Sequence, residues 1–135
     1  MQKLFGSIVG LMLALGAISC GGSGGDGVTT PPPPPPPVNC ADNTVCMVLN
    51  NFSPKTLSIP VNTTVSWLND TGVIHNITWD TPAGKTAAGS SGDGTGDIPD
   101  FSSGTHSRKF TVAGGPFTYT CTQHAGMTGT ITVTP

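Results

Sequence analysis

The chain has 135 residues and a formal net charge of −2, room for one folded domain. Nineteen Gly and thirteen Pro together approach a quarter of it, which excludes a helical bundle. Only 9% of residues are charged and all seven acids are Asp, so no basic stripe is present to neutralise phosphates, and nucleic acid is not expected as a partner.

Taken in chain order, the first segment is Met1–Ser19. Lys3 supplies a positive start, and Leu4–Ile18 is an apolar run too short to span a bilayer. It ends in Ala17-Ile18-Ser19-Cys20, which resembles a bacterial lipobox, where cleavage precedes an acylated cysteine. The reading is a lipoprotein signal peptide over residues 1–19 and a lipid on Cys20; a plain signal peptide is the alternative. Residues 20–37 then form a tether. Its Gly21–Gly27 part has nothing to bury, and Pro31–Pro37 favours polyproline II, extending roughly 20 Å. Such a segment holds a domain off a surface and lets it swivel. Gly21 after the cysteine implies sorting to the outer membrane in a host with two.

Residues 38–135 form the folded part. Short β-branched and aromatic runs recur at Val45–Leu49, Thr56–Val61, Thr64–Leu68, Val73–Trp79, Arg108–Val112, Pro116–Cys121 and Gly129–Val133. Turn chemistry separates them, as in Asn69-Asp-Thr-Gly and Ala113-Gly-Gly-Pro. The prediction is an all-β sandwich of seven to eight strands. Residues 80–104, poor in apolar side chains, read as one long loop of the kind that is functional or mobile. Strand parity puts Val73, His75, Ile77 and Trp79 on one face and Phe117, Tyr119 and Cys121 on another, so His75 and Cys121 both point inward.

Cys121, His124 and Met127 follow a strand at the spacing C-x2-H-x2-M. With His75 they supply one thiolate, two imidazoles and one thioether, the donor set of a trigonal His₂Cys copper site with a weak axial Met. A buried free thiol with a gap-filling Met is the structural alternative. Zinc accepts Cys and His, but Met is an uncommon partner for it.

These residues, with His75-Asn76 after a strand and the approach Phe110-Thr-Val to Gly115-Pro-Phe-Thr-Tyr119-Thr-Cys121, resemble the cupredoxins, the type 1 blue copper proteins. The compact ligand loop is similar to pseudoazurin and amicyanin, and Ile98-Pro-Asp-Phe-Ser-Ser-Gly is similar to plastocyanin. The resemblance covers roughly residues 50–135. It implies a Greek-key sandwich binding one Cu(I)/Cu(II) ion through His75, Cys121, His124 and Met127. It implies that Asn76 ties the two ligand-bearing segments together by hydrogen bonds, and that His124 is the electron port, with Ala125, Gly126 and Met127 in an apolar docking patch. The function implied is single-electron transfer outside the cytoplasm by a lipid-anchored monomer, with c-type cytochromes or other copper proteins as partners. No substrate is turned over, so the protein is not expected to be an enzyme. A module for copper delivery or buffering is the alternative.

Two cysteines remain. If Cys20 carries lipid and Cys121 binds copper, Cys40 and Cys46 are left to bridge, which export permits; a second thiolate metal site is the alternative, although no His lies near. His106 is the spare imidazole and reads as a surface residue. Without the leader the chain carries seven Asp against Lys55, Lys85, Arg108 and Lys109, a net −3. Asp93, Asp97 and Asp100 either steer a basic partner or form a solvated loop.

Overall fold

The computed structural model describes residues 40–89 and 93–135. The signal peptide, Cys20 and the tether lie outside the described residues. Nine strands form two sheets: β1 (Thr44–Val48), β2 (Asn51–Ser53), β3 (Thr56–Pro60), β4 (Thr63–Asn69), β5 (His75–Trp79), β6 (Ile98–Phe101), β7 (Gly104–Phe110), β8 (Gly114–Thr120) and β9 (Thr128–Thr134). One sheet runs β2-β1-β4-β7 and the other β3-β9-β8-β5-β6. Pairs β1–β4 and β3–β9 are parallel and the rest antiparallel. The architecture is the β-sandwich expected.

Period-2 alternation builds the core between the sheets. β4 turns Val65, Trp67 and Asn69 inward, and β9 turns Gly129, Ile131 and Val133 inward. At the centre the Tyr119 ring lies edge-on to Phe52, Trp79 and Trp67, with centroids 4.9, 5.2 and 5.6 Å away. Trp79 also meets Phe110 edge-on at 5.8 Å. Edge-to-face pairs suit the ring quadrupole and stabilise beyond the area they bury.

Residues 80–104 are not one loop. Thr81 caps a short helix, α1 (Pro82–Ala87), its Oγ accepting from the Gly84 amide at 3.1 Å, and Pro82 opens the first turn. Gly84 is buried against Trp79, where an added Cβ would stand 3.1 Å from the indole. Asp97 accepts from the Trp79 amide, and β6 follows as the edge of the second sheet. β7 also starts earlier than the apolar run suggested, at Gly104, because full pairing with β4 compensates for its polar residues. Val73 departs from the parity reading: β5 begins only at His75, and Val73 and Ile74 are exposed in the turn before it.

Arg108 faces inward beside Phe110 and is 2% exposed. Its Nε donates to the Gly96 carbonyl at 2.9 Å, and one terminal nitrogen donates to the Asp97 carbonyl at 2.7 Å. The other donates to the Ser107 carbonyl and pairs with Asp93 at 3.1 Å. A buried guanidinium is tolerated because its donors are met and its charge is balanced. It pins the 93–97 segment to β7.

Candidate metal centre

β5 and β8 pair antiparallel with Thr78 opposite Thr120 and Trp79 opposite Tyr119. Carried two steps further, that register sets Asn76 opposite Thr122. His75 therefore arrives beside the chain leaving β8, although it is 46 residues from Cys121. The chain then doubles back. The His124 amide donates to the Cys121 carbonyl at 3.4 Å, the Met127 amide to the His124 carbonyl at 3.2 Å, and the Cys121 amide to the Met127 carbonyl at 2.9 Å. Gly126, with φ +78°, takes the left-handed conformation this tight return requires.

The result is a cluster of donors. Cys121 Sγ lies 3.7 Å from His75 Nδ1 and 3.5 Å from His124 Nδ1, and the three ligand atoms lie within 4.8 Å of one another. The two imidazoles tilt at 40° with centroids 4.5 Å apart. A metal about 2.3 Å from a thiolate and about 2.0–2.1 Å from each nitrogen, at angles between tetrahedral and trigonal, would set sulfur and nitrogen about 3.5–3.8 Å apart. The observed spacings meet that requirement closely.

Burial grades the site. His75, Cys121 and Met127 are buried, His124 is half-buried, and Ala125 and Gly126 are exposed. Burial, followed by the neighbouring His124, pushes the His75 pKa below that of an ordinary imidazole, so the ring stays neutral with a lone pair available. Its Nε2 is buried and has no hydrogen-bond partner among the described residues.

Asn76 supports this cluster from outside. Its Oδ1 accepts from the Thr122 amide at 2.9 Å, and its Nδ2 donates to Thr122 Oγ1 and to Asp100 Oδ1, each at 2.7 Å. Asp100 Oδ2 accepts from Gln123 Nε2 at 2.9 Å. The sequence singles out Asp100 only as one of three loop acids, and Gln123 not at all. The available signal was Pro99, a residue that marks edges and bulges when it stands in a short apolar run.

Other sequence readings change here. His106 is not a bare surface residue: its ring is half-buried, lies edge-on to Phe101 at 4.6 Å, and sits 3.0 Å from Asp93. The three loop acids are engaged within the molecule, Asp93 with His106 and Arg108, Asp97 with Lys85, and Asp100 with Asn76 and Gln123. That arrangement weakens the reading of a free acidic patch. Cys40 and Cys46 form a disulfide.

Residues 41–134 match the model of a family described as copper-binding proteins of the plastocyanin/azurin family. This chain belongs to the plastocyanin/azurin family. A plastocyanin from Scenedesmus fuscus is 39% identical over 87 residues, covering 61% of this chain and 85% of that one. Among solved structures, the Cu(I) form of an amicyanin point mutant is 28% identical with a TM-score of 0.53, covering 70% of this chain and 86% of that one. A copper-containing nitrite reductase from Thermus scotoductus SA-01 is 29% identical with a TM-score of 0.54, covering 68% of this chain but 22% of that one. Copper is the metal of the plastocyanin/azurin family, and the donors gathered here suit it: thiolate favours copper and imidazole serves both its oxidation states.

Proposed function

We propose that this protein carries single electrons through one copper ion, which His75, Cys121, His124 and Met127 would hold. The observation that carries the reading is the convergence of Cys121 Sγ on two imidazole Nδ1 atoms at 3.7 and 3.5 Å. When bound, copper supplies a one-electron Cu(II)/Cu(I) couple. The chain's part is to hold its donors still: His75 sits on a sheet strand, and the other three donors sit on a loop closed by its own backbone hydrogen bonds. A frame that cannot relax toward either oxidation state keeps reorganisation small. Burial of three donors keeps water off the metal, and the half-buried His124 ring is the port through which the electron passes. Exposed Ala125 and Gly126 would meet the partner, a c-type cytochrome or another copper protein.

The protein is read as a carrier and not an enzyme. Cleavage before Cys20, acylation there and a swivelling tether over residues 20–37 would hold the domain, residues 38–135, on the exported side of a membrane, the outer one where the host has two. This placement rests on the sequence of the leader. Copper delivery is the second reading, and the burial of the donors speaks against it, because handing over the metal requires an incoming ligand to reach it.

The test is visible absorption and EPR of the chain after addition of Cu(II), with Cys121→Ser as the control. An intense thiolate-to-copper band with narrow copper hyperfine splitting, lost in the variant, is expected. A colourless protein with ordinary copper EPR that the substitution leaves unchanged would overturn the reading. Stopped-flow mixing with reduced cytochrome c, set beside a Cu(I)-chelator challenge, separates carrier from delivery module: fast electron exchange with slow copper loss marks the carrier.

A further inference from the structure

Strand β6 meets β5 with His75 opposite Phe101 and Ile77 opposite Ile98, and the register shifts between these pairs. One residue of β5, Asn76, therefore faces two of β6, Pro99 and Asp100. That is a β-bulge, a device that re-aims a side chain and is common beside functional sites. Pro99 has no amide N–H to give to the ladder, and a bulge on an edge strand tolerates that lack. The bulge brings Asp100 onto Asn76, where Oδ1 accepts at 2.7 Å, while Oδ2 accepts from Gln123 at 2.9 Å. One carboxylate thus grips the residue after His75 and a residue between Cys121 and His124.

Charge adds to this. The ion pairs among the described residues engage Asp93 and Asp97 but not Asp100. Its negative charge is therefore not paired with a cationic side chain, and a single hydrogen-bonded residue separates it from each of two donors, Asn76 from His75 and Gln123 from His124.

We propose that Asp100 is a positioning residue of the metal centre: from the β6 bulge it clamps the His75 strand to the Cys121–His124 loop, and its charge favours the oxidised metal. The proposal rests on the copper reading given above. Fixing Asn76 from behind keeps that amide aligned for its two bonds to Thr122, and so holds the loop in register with β5.

The test uses the full chain and the variants Asp100→Ala and Asp100→Asn, with two readouts. In the metal-free protein, exchange of the Thr122 amide hydrogen reports the clamp. Asp100→Ala should speed it about tenfold, whereas Asp100→Asn, which keeps an oxygen for Asn76, should speed it less. In the copper-loaded protein, both variants should lower the Cu(II):Cu(I) ratio at a fixed ambient potential, by about fivefold for one nearby, partly screened charge. If the wild-type chain shows the thiolate–copper band and Asp100→Ala leaves either readout unchanged, the assignment to Asp100 is overturned while the copper reading stands. If the wild-type chain shows no such band, the copper reading falls and this one falls with it.

Discussion

Asn76 and Thr122 make a two-point side-chain junction at the place where the β5–β8 ladder runs out. The last paired residues are Thr78 with Thr120, and two positions on the Asn76 amide takes over the pairing, accepting from the Thr122 N–H and donating to its hydroxyl. A backbone ladder could not continue here, because after Cys121 the chain must turn to present His124. The side chain keeps the two segments in register while leaving the backbone free to turn.

Asn76→Ala removes both bonds to Thr122 and the one to Asp100, and leaves the Thr122 amide without its acceptor. The expected cost is about 1–3 kcal/mol in the metal-free protein, read from urea unfolding midpoints at constant slope. Asn76→Asp keeps the acceptor but sets a second carboxylate against Asp100, which Asn76 Nδ2 meets at 2.7 Å in the wild type, so its cost should equal or exceed that of Asn76→Ala at neutral pH. Equal midpoints for all three would show that the junction does not stabilise the fold.

Tyr119 lies directly across β9 from Gly129, its cross-strand partner, and the ring covers the space where a Cβ would stand. Gly129→Ala is therefore expected to force the ring from the aromatic cluster, at a cost of about 1–3 kcal/mol, seen as a lower thermal midpoint. Gly72, with open space around it, contrasts in crowding but has φ +75°, so a substitution there would be strained by backbone conformation alone.

Arg108→Met keeps the length of the side chain and removes all its donors. Asp93 loses its buried partner, the Asp97 carbonyl loses the guanidinium, and the Gly96 carbonyl keeps only the Trp79 indole N–H at 3.2 Å. We expect a loss of about 3 kcal/mol, with the 93–97 segment becoming the first site of proteolytic cleavage under native conditions. Unchanged cleavage sites would show that other contacts hold that segment.

The lowered pKa of His75 sets the acid behaviour of the metal-free protein. The unfolded chain takes up a proton at about 6.5, before the folded chain does. Between that value and the lower folded one, the unfolded state holds more protons, so stability falls as the pH falls and levels off once both states are protonated. Urea midpoints measured from pH 8 to 5 should show this decline, and His75→Gln should flatten it. The same protons compete with copper for Nδ1, so copper retention should weaken over the same window.

Much of this was legible in the chain. Short alternating runs separated by Gly and Asn turns specify strands locally, because each residue's face follows from its parity alone. Cys121, His124 and Met127 stand within seven residues, so their chemistry was visible as a motif. What stayed hidden depended on cross-strand placement. Val73 satisfied the parity of β5, yet the strand begins at His75. Residues 80–104 looked like one loop because β6 is only four residues long and includes Pro99, and its strand character comes from pairing with β5. Arg108 entered only as the start of a strand run and one of four cations, since nothing local reveals that the carbonyls of Gly96 and Asp97 await it.

The sequence by itself determined the donor chemistry, the all-β class and the inward direction of His75 and Cys121, because residue type and period-2 alternation are local properties. Tertiary structure alone decided that His75 meets Cys121 across 46 residues, that a bulge in β6 sets Asp100 behind Asn76, and that Arg108 is buried. These depend on register between strands distant in sequence, which is settled by the packing of the whole sandwich and not by any single segment.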